Sequence, residues 1–510
     1  MSELTVLDPG RRILVTIAVM LAVLIQVLDT TIANVALPHM QASLGATQDS
    51  INWVLTSYIV ASAIAIPIAG WLADRVGRKR LMVVAVISFT FASFLCAIAQ
   101  SLGQMVTFRA IQGVSGAFLV PLAQATLFDI YPREKHGQAM AMFGGGIMIG
   151  PILGPLLGGW LTDSLDWRWV FLVNIPVGSV AAVLLLRTMP SVPLTRRKFD
   201  LFGFALIGTG LGALQLMLDR GQQLDWFQSP EILIELGLTV AAFWMFIIHT
   251  MTGREPLFER HMFANRNFAT GLFFMFVTGI LLLAGLALLP PLLQRLYGYS
   301  VLQSGQLTMP RGIGTLITMV TVGKLSQKID TRLLVAIGMT LMGTSLYMMT
   351  GFALVQGARP VVLSGVVQGL GLGILFVTIQ SLAFATLEPK LRTAAASLLN
   401  LSRNIGGSVG ISIVTAALTR NLQIAHADIG AHVTDGNAPM ALGAITQQLG
   451  LPAQAGLALI DAEVNRQAAF IAYLDDFKLM MWVTFAAIPL VLLLKPPKPG
   501  AGGGAPVVMD

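Results

Sequence analysis

The stretch GWLADRVGRKR, Gly70 to Arg80, decides how the rest of the chain is read. It gathers Arg75, Arg78, Lys79 and Arg80 into one short polar segment, with an apolar run on each side, near 51–73 and 81–100. A helix needs about 20 apolar residues to cross the hydrocarbon core of a bilayer, and both neighbours reach that length. Basic residues in short loops stay on the cytoplasmic side, so the loop sets an orientation as well as a topology.

Composition agrees. Of 510 residues, 55% are hydrophobic and 11% charged, against about a quarter charged in soluble domains. That deficit identifies a polytopic integral membrane protein with little mass outside the bilayer, and the length of its apolar runs makes it an all-α one. The net charge of +7 would suggest nucleic acid for a soluble chain. Here the bases lie in loops between apolar runs, so they report membrane topology, and no nucleic acid is expected. The one cysteine, Cys96, sits inside an apolar run; it excludes an intrachain disulfide and argues against a thiolate metal site. The first apolar run, about 13–37, is too long for the core of a cleavable signal and reads as the first span.

Fourteen apolar windows follow, near 13–36, 51–73, 81–100, 105–128, 138–161, 168–187, 200–218, 231–250, 268–293, 303–323, 333–354, 360–386, 393–418 and 477–495. With a cytoplasmic N-terminus, about 22 of the 32 Lys and Arg fall on the cytoplasmic side, including Arg11, Arg12, Arg196, Arg197 and Lys198. About 7 fall outside (Arg168, Arg220, Arg295, Arg359, Arg420, Arg466, Lys478), and Arg109, Arg311 and Arg403 lie within windows. This asymmetry places both termini in the cytoplasm. Gly323 to Lys328, GKLSQK, looks like a decayed copy of the Gly70 loop. The expected organisation is therefore six helices over 1–190, two inserted helices over 191–260, six helices over 261–495, and a disordered tail over 496–510. A long outer loop spans 419–476. Its part near 454–474 has a helix-forming composition and an apolar stripe, and reads either as an interfacial helix or as a solvated loop.

Several residues carry possible chemistry. Asp29, in LDTTIANVALP, lies near mid-membrane, where a charge costs about 2.5–3.5 kcal/mol on insertion scales. Desolvation favours its neutral form and a neighbouring cation its ionised form, which makes it a candidate proton carrier. The alternative is a packing Asp bonded to Thr or Asn of neighbouring helices. In FRAIQGVSGAFLVP, Gln112, Gly113 and Gly116 share a helix face with Arg109. That guanidinium either finds an acceptor in the bundle or snorkels to an interface. In FGGGIMIGPILGPLLGGWL, Gly146, Gly150, Gly154 and Gly158 recur every fourth residue and allow a neighbouring helix close approach. Pro151 and Pro155 each remove a backbone hydrogen bond, and Gly159 completes a terminal Gly-Gly. In the second half, Asn400, Arg403 and Asn404 form a polar stripe. Together with Gln368, Gln380, and Gln26, Asn34 and Gln112 from the first half, they are the candidate lining of a substrate cavity. Arg311, just after Pro310, reads as snorkelling. No acid falls in the middle of a second-half window, so proton coupling is expected to rest on the first half.

These motifs together resemble the fourteen-span drug:proton antiporter family of the major facilitator superfamily, over nearly the whole chain. The resemblance rests on the Gly70–Arg80 loop, the Asp29 segment, the Arg109 helix, the double Gly-Pro helix, and the segments DWRWVFLVNIPVG (166–178) and DRGQQLDWF (219–227). It implies a fold of two six-helix halves plus two inserted helices. It also implies a conformational latch at Gly70, Asp74, Arg75, Gly77 and Arg78, for which a purely topological role is the alternative. Arg109 would tune the protonation of Asp29, and the glycine–proline helix would mark an exporter. The implied partners are the lipid bilayer, protons and amphipathic small molecules, with a periplasmic adaptor and an outer-membrane channel where the host has two membranes. No P-loop, HExxH or Cys/His cluster occurs, so neither enzymatic activity, cofactor nor metal is expected. Two rival functions stand beside multidrug efflux across the inner membrane: a dedicated exporter of one metabolite, antibiotic or siderophore, and a non-transporting membrane sensor.

Overall fold

Backbone groups in hydrocarbon have no water to bond, so an apolar run must satisfy them within its own helix. Helix is what the chain forms, and no strand occurs among the described residues. The computed structural model describes residues 8–494 apart from 133–134, 192–193, 195–197, 254, 326–328, 386 and 434–452.

The long helical segments are α1 (Pro9–Ser43), α2 (Trp53–Val76), α3 (Arg78–Ala97), α4 (Leu102–Ile130), α5 (His136–Ser164), α6 (Trp169–Thr188), α7 (Leu201–Arg220), α8 (Pro230–Thr252), α9 (Arg266–Leu296), α10 (Val301–Leu325), α11 (Thr331–Thr350), α12 (Ala358–Ala385), α13 (Arg392–Ala431) and α14 (Ala453–Ala487). Each overlaps one apolar window of the sequence. Among the described residues, 11 helices are long and apolar enough to cross a membrane. The other three windows coincide with α5, α10 and α13, of 29, 25 and 40 residues.

Packing repeats along the chain. In the first six helices α1 packs on α5, α4 on α2 and α3, and α3 on α6. In the last six α9 packs on α13, α12 on α10 and α11, and α11 on α14. The same positional pairs recur. The two groups meet where α5 lies against α10 and α12, and where α13 lies against α2 and α4. Helix α7 rests on α2 and α13 and so touches both groups. It is tied there by Ser408 Oγ donating to Gln215 Oε1 at 2.9 Å, Ser412 Oγ to the Leu218 carbonyl at 2.7 Å, and Thr56 to Asp219. Helix α8 packs on α7 and otherwise shows apolar side chains such as Leu233, Trp244 and Met251 outward.

The structure corrects the sequence reading in three places. In the segment read as a long outer loop over 419–476, α13 continues to Ala431; the part near 454–474 is helix, the first of its two readings, but as α14, which begins at Ala453 and runs without a break into the last span. Polar, Ala-rich sequence sustains a helix beyond the bilayer as well as inside it. Asp476, assigned to that loop, lies on the buried face of α14 and is 0% exposed. Arg311, read as snorkelling, is buried among α9, α10 and α12. Residues 326–328 of the second loop copy, and the tail 496–510, lie outside the described residues.

Candidate functional site

Asp29 occupies the centre of the first six helices. Both of its carboxyl oxygens are hydrogen-bonded. Arg109 Nη1 donates to Oδ2 at 2.6 Å. Gln112 Nε2 and Asn174 Nδ2 donate to Oδ1 at 2.8 and 2.9 Å. Arg109 is itself held on three sides: Nη1 also donates to Gln112 Oε1 at 2.8 Å, Nε donates to the Val54 carbonyl at 3.0 Å, and the guanidinium lies 4.4 Å from the Tyr58 ring centroid. Asn174 reaches on to Ser93 Oγ at 3.0 Å, and Ser93 donates to the Phe171 carbonyl at 2.9 Å. The network thus joins α1, α2, α3, α4 and α6. Both charged side chains are 0% exposed, which excludes snorkelling for Arg109.

The sequence around Arg109 explains how the pair is reached. Gly113 sits against the Tyr58 backbone, where a Cβ would fall 3.1 Å from Cα, and Gly116 against the Phe89 ring. Bare backbone at these two turns lets α4 close on α2 and α3, which carries Arg109 and Gln112 inward to Asp29. On the other side of α1 the glycine stripe of α5 does the same. A Cβ on Gly150 would lie 3.0 Å from Val27 Cβ, on Gly154 2.6 Å from Thr31 Cβ, and on Gly158 3.2 Å from Val35 Cβ. Gly159 has open space instead. Helix α5 runs unbroken through Pro151 and Pro155.

A second polar cluster joins the two groups of helices on the face that carries the Arg75–Arg80 loop. Asp129, at the end of α4, takes an ion pair from Arg78 and another from Arg392 Nη1 of α13, the latter at 2.7 Å. Gln124 Nε2 donates to Gln380 Oε1 at 2.5 Å and Gln124 Oε1 accepts from Asn400 at 2.8 Å. A Cβ on Gly70 would meet Ala394 Cβ at 2.9 Å, and one on Gly323 the Gly137 carbonyl at 2.9 Å. The bundle is closed on this face. Gly77 turns the chain between α2 and α3 at φ +94°, a conformation that a side chain strains. Arg75 is exposed and Asp74 half-buried.

The eight residues expected to line one cavity are therefore divided. Gln112 belongs to the Asp29 network, and Gln380 and Asn400 to the closed face. Gln368 is buried beside Arg311, both near Gly285. Arg403 and Asn404 are half-buried and adjacent, 3.5 Å apart between Nη2 and Oδ1. Gln26 is half-buried and Asn34 exposed. The sequence reading missed Asn174, Gln124 and Asp129. Asn174 stood inside a segment already singled out, one turn beyond a Trp-rich stretch, and its apolar surroundings were the available signal.

Two groups of six helices in one packing order, a buried ion pair inside the first and a polar closure between them, make a membrane transporter. The chain belongs to the Major Facilitator Superfamily, whose model matches residues 19–411. It is 34% identical over 506 residues to the "Multidrug export protein EmrB" of Escherichia coli K12, covering 98% of both chains. It is also 34% identical over 494 residues to the "Fatty acid resistance protein FarB" of Neisseria gonorrhoeae, covering 96% of this chain and 97% of that one. The fold is shared with the human organic anion transporter MFSD10 (TM-score 0.59, 15% identity, 94% of this chain and 100% of that one). It is shared also with the proton:xylose symporter XylE (TM-score 0.57, 14% identity, 95% and 97%).

Proposed function

We propose that the protein exports amphipathic organic compounds across the cytoplasmic membrane in exchange for protons. Two six-helix halves rock about a central site, and both termini lie in the cytoplasm. The observation that carries this reading is the fully buried Asp29–Arg109 pair. Removing the charge of one partner in such a pair leaves the other uncompensated, at a cost of about 3–5 kcal/mol. In the packed arrangement a neutral Asp29 would abandon the buried guanidinium, so exchange of a proton there requires the helices to separate and admit water. Proton binding and helix movement are thereby linked. A proton crossing about 100 mV releases about 2.3 kcal/mol, and about 1.4 kcal/mol sustains a tenfold gradient, so one proton per cycle is enough for uphill export.

The positive-inside bias makes the Arg75–Arg80 face cytoplasmic, so the closure through Asp129, Arg78 and Arg392 corresponds to a conformation shut toward the cytoplasm. Gly70, Asp74, Arg75, Gly77 and Arg78 serve as its latch, and Gly146, Gly150, Pro151, Gly154, Pro155, Gly158 and Gly159 form the exporter helix against which α1 moves. The EmrB relatives are named as multidrug export proteins, which supports a range of drugs, and in a host with two membranes the family resemblance adds a periplasmic adaptor and an outer-membrane channel as partners. The FarB name favours a second reading, export of one class of compound. Proteoliposomes with an imposed pH gradient test the main proposal. Lipophilic dyes should trigger proton movement in the wild type and not in Asp29→Asn or Arg109→Ala. Dye-triggered movement that persists in both variants would reject it.

A further inference from the structure

We propose that Asp476 is a second proton-binding site, and that its neutral form holds α14 against α11 and α13. Tyr473, Asp476, Phe477 and Met480 fall at positions i, i+3, i+4 and i+7 of α14, one face of a helix, and all are buried. Phe477 packs edge-on to Phe352 at 6.2 Å between centroids. In this row the phenol of Tyr473, one turn before Asp476, interacts with it electrostatically, while Asp476 is 0% exposed and among the described residues neither carboxyl oxygen has a hydrogen-bond partner.

The charged groups nearby do not compensate it. On its own helix Asp475 and Lys478 are exposed. On α11 the ionisable residues are Arg332, at the far end on the Leu494 carbonyl, and Tyr347, which is exposed. On the outer turns of α13, Arg420 is exposed and His426 lies 3.7 Å from Asp461. In the last turn of α9, Arg295 is exposed and interacts electrostatically with Tyr473 rather than pairing with Asp476. An ionised carboxylate enclosed by apolar groups without a partner costs several kcal/mol, and the neutral acid is the form such a site accommodates. Asp29, by contrast, is surrounded by a guanidinium and two amide donors.

Position decides which side supplies the proton. The 3-10 segment Ile488–Leu493 that continues α14 is fixed at the Arg75–Arg80 face, where Arg266 Nε donates to the Leu493 carbonyl at 2.6 Å. Eleven residues of α14 and the six of the 3-10 segment Ile488–Leu493 separate Asp476 from Leu493, about 29 Å at 1.5 and 2.0 Å per residue. The hydrocarbon core is about 30 Å thick, so Asp476 lies near the opposite boundary and exchanges its proton with water there. The O–H bond forms as this face packs. It breaks, returning the proton to the same medium, when the face is wetted. Asp476 is therefore a sensor of the far-side pH and carries no proton across.

Infrared spectroscopy of the protein in nanodiscs tests this without any transport assay. At pH 7 the wild type should show the carbonyl stretch of a protonated carboxyl that Asp476→Asn lacks. On raising the pH that band should vanish in step with a several-fold rise in maleimide labelling of Met480→Cys. Identical spectra for wild type and Asp476→Asn at pH 7 would overturn the proposal, as would a titration of the band with no change in labelling. If Asp476→Asn fails to fold, the paired pH titration of band and labelling still decides. Failure of drug-driven proton movement in the wild type would count against the proposed function and leave Asp476 standing.

Discussion

Replacing Arg109 by Ala tests the central ion pair through stability alone. The substitution removes the cation from a carboxylate that is 0% exposed and keeps only the amide donors of Gln112 and Asn174. Breaking a buried pair from one side costs about 3–5 kcal/mol, most of it the penalty of the abandoned charge. Asp29→Asn in the same background removes that charge, while the new amide oxygen still accepts from Gln112 and Asn174. The double variant should then be more stable than the two single losses imply, with a coupling energy of about 2–3 kcal/mol, at the upper end for contacting residues. Equilibrium unfolding in mixed micelles titrated with dodecyl sulfate, followed by tryptophan fluorescence, measures all four corners of the cycle. Additivity within about 0.5 kcal/mol would mean that the two charges do not sustain each other, and the reasoning would fail.

Other outcomes follow from the same packing. Gly150→Ala places a methyl 3.0 Å from Val27 Cβ and should cost about 1–3 kcal/mol by overpacking, with transport rates reduced. Gly159→Ala meets nothing within 4 Å and should match the wild type in the same vesicle assay. Gly113→Ala, against the Tyr58 backbone, should disturb the Arg109 network and lower stability more than Gly159→Ala does in the same unfolding titration. Asp129→Asn removes the acid shared by Arg78 and Arg392, so maleimide labelling of Ala394→Cys at the closed face should speed up; an unchanged rate would mean the latch does not hold this face.

Much of this arrangement was legible in the sequence because membranes restrict the alternatives. Each apolar window became a helix, since no other structure satisfies its backbone groups. Asp29 stood out as a charge where charge is costly; its link to Arg109 was implied by the family resemblance, while the residues alone left Arg109 free to snorkel. The ends of helices were less legible: the polar sequence after 418 is as good a helix former outside the bilayer as inside, and α13 ran on to Ala431. Side-chain depth was least legible. Arg311 and Asp476 lie near window ends, where sequence allows either an interface or an interior, and only the packing of α12 on α10 and of α14 on α11 decides. Asp129 resembled any solvated acid beside a basic loop until the two groups of helices were brought together.

Drug accumulation by proteoliposomes containing Asp29→Asn protein tests the proton-coupling claim most directly, measured once with an opposing drug gradient and an imposed pH gradient, and once as drug-for-drug exchange. The expected result is that exchange persists while uphill accumulation is lost, because a neutral amide allows the helices to move but binds no proton. Uphill accumulation driven by the pH gradient in Asp29→Asn would contradict the account.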